Sequence, residues 1–300
     1  MKFQIVNLEY LGCEKMMIDK MPETNMCRLE INGPIAKIIL TRTEVFNALN
    51  TQLINEIIEC LDWTTKRSVG VTKQLTDSEK NPYLRVLIIS SEGKHFCAGA
   101  DINMMREAGS KSEEENREDS KRLDSLFHGL WSHPCFTIAC IQGVALGGGA
   151  GLISCIDYVI VEPLTKIALS EAKLGISAAV IGPYVYRRIG SAQYRRLAMM
   201  ASRINSDEAL RIGFVDKIVE SIHDFPTATD EIVSDIMTSG PMSVTSVKNT
   251  TLTMDRWNSD DKSLRDWTLD LTSKMRGSDE GQEGLTSFIE GRQPSWIIDE

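Results

Sequence analysis

Two stretches of the chain, Leu84–Ser90 and Phe136–Ile141, are apolar at nearly every position and only as long as a strand. A strand with one wet face alternates apolar and polar residues, so an uninterrupted apolar run needs cover on both faces, as in a sheet layered between helices. Residues around them supply those helices. Leu53, Ile54, Ile57, Ile58 and Leu61 fall on one face of a helix predicted over Asn50–Trp63, and Gly147 opens an apolar helix to about Cys155. The runs Cys27–Ile31 and Ala36–Leu40, joined by Asn32-Gly33-Pro34, read as a hairpin. Tyr158–Val161 and Ile167–Leu169 read as short strands, and residues 64–81 as a polar loop insertion. Beyond Ser170 helical patterns dominate to Glu290, with stops at Gly190, Gly213 and Gly240-Pro241. The reading is an α/β core over 27–222, with the insertion at about 64–81, and a helical assembly region over 223–300. Residues 1–26 form an N-terminal extension with one strand-like run, Phe3–Tyr10.

Charge and composition exclude several function classes. A net charge of −9 disfavours nucleic acid and anionic membrane surfaces as partners. No apolar run reaches the ~18 residues of a membrane helix, and the mixed charges of the first residues do not read as a signal or transit peptide. Cysteines 13, 27, 60, 97, 135, 140 and 155 are odd in number and form no C-x-x-C pair, so they read as free, reduced thiols in a cytoplasmic setting. Of the four histidines, His95, His128, His133 and His223, the pair His128 and His133 has H-x₄-H spacing, but there is no H-E-x-x-H motif and no C-x₂₋₄-C pair precedes it, so no metal site is expected. Against the acidic total, residues 172–206 hold Lys173, Arg187, Arg188, Arg195, Arg196 and Arg203 and no acid. Such a stretch is a solvated face or subunit contact, or else offers a cation to an anionic ligand. Residues 111–124, which include Asp119 and Asp124, read as a solvated helix face.

Three segments carry candidate chemistry. The first, His95–Ile102, places small residues Ala98, Gly99 and Ala100 just after an apolar strand, where a backbone N–H can meet a carbonyl oxygen. The second, Gly143–Leu152, puts Gly147, Gly148 and Gly149 at the start of a helix whose first N–H groups have no partner within it. It has neither the G-K-[ST] of a P-loop nor the G-x-G-x-x-G of a dinucleotide site, so an oxyanion site is the better functional reading. The third, Leu169–Gly175, contains Glu171 between apolar runs. Buried beside a ligand, that carboxyl would rise in pKa and suit proton transfer near neutral pH.

In this order the segments resemble the enoyl-CoA hydratase/isomerase family, the crotonase superfamily. The resemblance runs from about Cys27 to Trp296 and includes Phe46–Asn50, Phe96–Ile102, Gly143–Gly149, Ser170–Gly175 and Glu283–Pro294. It implies a crotonase-like ββα spiral core with a C-terminal helical trimerisation region, assembling as a homo-trimer or homo-hexamer. It also implies an acyl-CoA thioester as substrate, coenzyme A arriving as part of it, and no separate cofactor. Ala100 and Gly148 match the two N–H donors of the family's oxyanion hole, Ala98 a residue lining the adenine pocket, and Glu171 the second of two hydratase glutamates. Asp101, Ile102, Gly147 and Gly151 complete the residues expected at the substrate. The first hydratase glutamate falls at Gly151, which leaves hydration by one carboxylate and Δ3–Δ2 isomerisation both open, as well as a binding module without turnover. Asn103 stands where the family often has Lys or Arg for a phosphate. Gly151 and the turn Gly175–Tyr184 look like the branch of methylglutaconyl-CoA and carboxygeranoyl-CoA hydratases, which take 3-methyl enoyl thioesters with a distal carboxylate.

Overall fold

A computed structural model describes residues 20–297; the run Phe3–Tyr10 and Cys13 lie outside the described residues. The chain opens with the hairpin β1 (Cys27–Asn32) and β2 (Ile35–Leu40), paired antiparallel from Cys27↔Leu40 to Asn32↔Ile35. Helix α1 (Thr51–Lys66) follows, its N-terminus capped by the Asn50 side chain accepting from the Leu53 N–H, and the one-turn α2 (Val69–Thr72) comes next. The expected apolar stripe is the buried face of α1, whereas the stretch 64–81 is not all loop, because it holds the end of α1 and the whole of α2.

Strand β3 (Val86–Ser91) leads to α3 (Ile102–Ala108) and α4 (Glu113–Trp131), and β4 (Phe136–Ile141) returns through the sheet. Then come β5 (Val144–Leu146), α5 (Gly148–Ser154), β6 (Tyr158–Val161) and β7 (Lys166–Ala168). Helix α6 (Gly182–Met200) is two helical runs joined at a kink: Gly190 is non-helical at φ +76°, so the first run stops where the sequence places a stop and a second begins beyond it. Two-residue strands β8 (Ile204–Asn205) and β9 (Lys217–Ile218) flank α7 (Ser206–Arg211); the helical reading beyond Ser170 missed both strands. The chain ends in α8 (Phe225–Thr238), α9 (Pro241–Asp255), α10 (Asp261–Arg276) and α11 (Asp279–Glu290).

The main sheet has the order β1-β2-β3-β4-β6-β9, parallel beyond the opening hairpin, and a small sheet has the order β5-β7-β8. The two uniformly apolar runs form the middle of the main sheet and are covered on both faces. Leu87, Ile89, Ala139 and Ile141 face the core under α1, α4 and α5, while Val86, Ile88, Ile138 and Cys140 face Ala228, Ile232 and Ile236 of α8. Between β4 and β5 the chain passes from one sheet to the other through Gln142-Gly143. A Cβ on Gly143 would lie 2.2 Å from the Lys94 oxygen at φ +66°, so only glycine fits that corner. The six described cysteines are free and buried, and no described helix is long and apolar enough to cross a membrane.

Two cations tie the C-terminal helices to this core. The Arg85 guanidinium donates to the backbone oxygens of Met237 (3.1 Å), Ser239 (2.7 Å) and Trp296 (3.1 Å), collecting the end of α8 and the end of the chain. Lys248 of α9 donates to the Cys135 oxygen at 2.9 Å and pairs with Asp157 at 2.5 Å. Replacing Arg85 strands those carbonyls, so Arg85→Met should lower the free energy of unfolding by roughly 1.5–3 kcal/mol, the worth of hydrogen bonds to a charged group. Urea denaturation measures this; a loss below about 0.5 kcal/mol, the range of neutral surface changes, would show that the helices stay docked without it.

Candidate active site

The sequence positions two backbone N–H groups toward one point. Ala100 forms an isolated parallel bridge with Leu49: the Leu49 N–H donates to the Gly99 oxygen (2.8 Å) and the Asp101 N–H to the Leu49 oxygen (2.9 Å). In such a bridge the N–H of the central residue points to the other side, so that of Ala100 is left free of Leu49. Gly99, at φ +98°, lies so close to β5 that a Cβ on it would be 2.8 Å from the Leu146 oxygen and 3.6 Å from the Gly148 nitrogen. Gly148 is the first residue of α5, and its N–H has no acceptor inside that helix. The Ala100 nitrogen lies 3.8 Å from the place a Gly148 Cβ would take. Among the described residues neither N–H has a hydrogen-bond acceptor.

Glu171 begins a 3-10 turn, Glu171–Leu174, that directly follows β7 and ends at Gly175. The Gly147 N–H donates to the Ala168 oxygen at 2.8 Å, which holds the glycine turn against β7. Oε1 of Glu171 lies 3.2 Å from where a Gly147 Cβ would be, so the carboxyl sits beside the two N–H groups. Oε2 is buried with no hydrogen-bond partner among the described residues. Burial pushes the Glu171 carboxyl above its ordinary range, and a backbone hydrogen bond offsets only part of that rise.

Ala98, Ala100, Asp101, Ile102, Gly147, Gly148 and Glu171 all line one cavity of about 640 Å³. Phe46 and Ala98 form one wall, joined by the Ala98 N–H donating to the Phe46 oxygen at 2.9 Å. Another wall is α4, through Asn116, Asp119, Ser120, Arg122 and Leu123, together with Ile181. Asp101 is mainly a structural group, accepting from the Asn103 N–H (2.9 Å) to cap α3 and pairing with Arg42 at 2.7 Å. Burial works upward on its carboxyl but is outweighed by Arg42 and the helix N–H groups, so its pKa falls.

Gly151, expected at the substrate, is not among the residues that line the cavity. A Cβ on it would lie 2.4 Å from Cγ2 of Ile181 and 3.0 Å from the Phe127 ring. The space a glutamate would enter is filled by Ile181, which itself faces the cavity. A glycine at a helical position beside an apolar turn was the only signal for this filling in the sequence. None of the six cations in 172–206 lines the cavity. Arg188 donates to the Ile156 and Phe214 oxygens and pairs with Asp216 at 2.6 Å; Arg196 pairs with Glu208 at 2.7 Å and Arg187 with Asp255 at 3.0 Å. Arg122, within the stretch read as a solvated face, is the lining cation instead. Asp119 lines the cavity, whereas Asp124 accepts from the Tyr184 hydroxyl at 2.9 Å outside it. His133 is buried with its pKa pulled down to about 3, chiefly by desolvation, and its Nε2 lies 3.0 Å from Thr64 Oγ1. Among the described residues no group of three or more His, Cys, Asp or Glu is placed to hold a metal.

The paired free N–H groups and the desolvated carboxyl lie on a core whose architecture matches crotonase-fold structures. The profile of the enoyl-CoA hydratase/isomerase family matches residues 30–298, and the chain belongs to that family. It is 28% identical to a crotonyl-CoA hydratase of Syntrophomonas wolfei over 90% of this chain and 96% of that protein. A short-chain-enoyl-CoA hydratase of Clostridium acetobutylicum is 31% identical over 74% of this chain and 79% of its own. The crystal structure of an enoyl-CoA hydratase from Shewanella pealeana superposes with a TM-score of 0.82 at 31% identity, covering 91% of this chain and 97% of that one.

Because the Glu171 pKa is higher folded than unfolded, the folded state binds the extra proton between the two values. Stability therefore falls as pH rises through that window, starting from the ordinary carboxylate range. Glu171→Gln should be more stable than the parent at neutral pH, with the difference shrinking below about pH 4 as both side chains become neutral. Thermal unfolding across pH 3–8 checks this; equal stability at all pH values would mean the carboxyl is not desolvated.

Proposed function

We propose that the protein is an enoyl-CoA hydratase-type lyase, adding water across the C2=C3 bond of an α,β-unsaturated acyl-CoA with Glu171 as its single acid/base. The observation that carries this is the desolvated, unpartnered carboxyl beside two free N–H donors in one cavity. The thioester oxygen sits between the Ala100 and Gly148 N–H groups, each worth roughly 2.7–4 kcal/mol to a developing oxyanion. Glu171 takes a proton from water, the hydroxide oxygen bonds to C3, and the π electrons move through C2 onto the thioester oxygen. The enolate collapses as Glu171 returns the proton to C2 on the face that the water attacked. Burial suits the first half, because desolvation raises the proton affinity of the carboxylate that takes the proton from water. Coenzyme A travels with the substrate, so no separate cofactor enters the scheme.

The turn that resembles the methylglutaconyl-type branch supports a 3-methyl enoyl chain, which the apolar Leu123 and Ile181 suit. Isomerisation is the second reading, favoured by Ile181 and Phe127 occupying the place of another carboxylate; the same Glu171 would then move a proton between C4 and C2. Assembly into a homo-trimer or hexamer is supported by exposed Leu269 on α10 and Phe288 and Ile289 on α11.

Assays with crotonyl-CoA, 3-methylcrotonyl-CoA and a 3-enoyl-CoA separate these readings. Loss of conjugated-thioester absorbance is the expected result, and its gain from the 3-enoyl compound alone would make the protein an isomerase. Glu171→Gln should cut turnover by at least ~10² while thioester binding stays near the parent value; unchanged kcat would remove Glu171 from the mechanism.

A further inference from the structure

Ser170 immediately precedes Glu171 and lines the same cavity. It is the N-cap of the 3-10 turn Glu171–Leu174, a position where serine ordinarily accepts a hydrogen bond from the turn that follows. Here it does not. A capping serine has extended backbone, whereas Ser170 is helical at φ −88°, ψ −2°, and its side chain makes no cap hydrogen bond. Instead Oγ lies 3.6 Å from the place a Gly147 Cβ would take, and Oε1 of Glu171 lies 3.2 Å from that same place. No hydrogen bond joins the two oxygens, and Ser170 Oγ has no other partner among the described residues. The other hydroxyls of the lining are spent or exposed. Ser120 Oγ donates to the Asn116 oxygen (2.9 Å), Thr51 Oγ1 meets Met104 Sδ (3.6 Å), and Ser177 is exposed. Ser170 is thus the one half-buried free hydroxyl among the described cavity residues, set beside the catalytic carboxyl.

We propose that Ser170 Oγ accepts the second O–H of the attacking water and so aims the water oxygen at C3 while Glu171 takes the first proton. This rests on the hydratase reading above. A water bonded to one carboxylate alone can turn about that bond, and Ile181 and Phe127 occupy the place over Gly151 from which another side chain could restrain it. Two oxygens near one point, unbonded to each other, are arranged as groups that share a water. With both O–H bonds held, a lone pair is left for C3. In the step, one O–H breaks as its proton passes to Glu171, and the oxygen bonds to C3. The second hydrogen stays on that oxygen as the product hydroxyl, and the serine proton is not consumed.

Steady-state hydration of crotonyl-CoA across pH 4–9, with calorimetry of unreactive hexanoyl-CoA, tests this assignment. Ser170→Ala should lower kcat about tenfold. KM and hexanoyl-CoA binding should stay within about twofold, and the acid limb of the kcat profile, where Glu171 takes up its proton, should not move. Ser170→Thr, which keeps the hydroxyl, should recover most of the rate. An unchanged kcat in Ser170→Ala would overturn the proposal. A lower kcat with a displaced acid limb would also overturn it, because the hydroxyl would then act on the Glu171 carboxyl and not on water. Equal losses in the Ala and Thr variants would assign the effect to packing of the turn and overturn it as well. A parent protein that hydrates no enoyl thioester would overturn the hydratase reading first, and the proposal with it.

Discussion

The turn after β3 and the start of α5 are held backbone to backbone, and the rest of the site depends on that contact. Cys97 bridges Ala145 of β5, the Leu146 N–H donates to the Cys97 oxygen at 3.0 Å, and a Cβ on Gly149 would come within 2.5 Å of that same oxygen. No side chain can be inserted between these segments. Their N–H groups at Ala100 and Gly148 are therefore fixed by the fold rather than by rotamers, which is the preorganisation an oxyanion requires. The parallel main sheet exists to deliver these turns: β3 and β4 run side by side, and each leads at its C-terminal end into one half of the clamp. Strand β7, paired with β5, then brings Glu171 to the same place.

Around that rigid centre the protein keeps one carboxyl poorly solvated and unpartnered. By contrast, Asp101 is matched by Arg42 and Lys248 by Asp157. The exception at Glu171 costs stability and holds the proton affinity that acid/base chemistry needs. With Ile181 over Gly151, the proposed chemistry leaves Glu171 to serve every proton step.

Much of this was legible in the sequence because close packing restricts composition. The nearly uniformly apolar runs at β3 and β4 and the stripe of α1 each had one physical reading, and the structure follows it; the glycines around 147 open a helix as expected. Features that depend on tertiary partners were not legible. Strands β8 and β9 are two residues long and exist only through pairing with β7 and β6. The stretch 64–81 hid the end of α1 and all of α2 because its polar composition hides helical turns. The six cations of 172–206 read as a solvated face or subunit contact, or else as a cation for an anionic ligand, and three of them answer acids on other segments. Arg122 lay unnoticed among the charges of α4, since a charged helix face does not announce which of its residues meets a cavity.

The central claim is that Glu171 alone carries a proton from the attacking water to C2. Hydration of crotonyl-CoA in deuterium oxide, with the 3-hydroxyacyl product resolved by proton NMR, tests it most directly. One deuteron at C2 on the same face as the new C3 hydroxyl is the predicted outcome. Deuterium on the opposite face, or spread over both, would require a second proton donor and contradict the account.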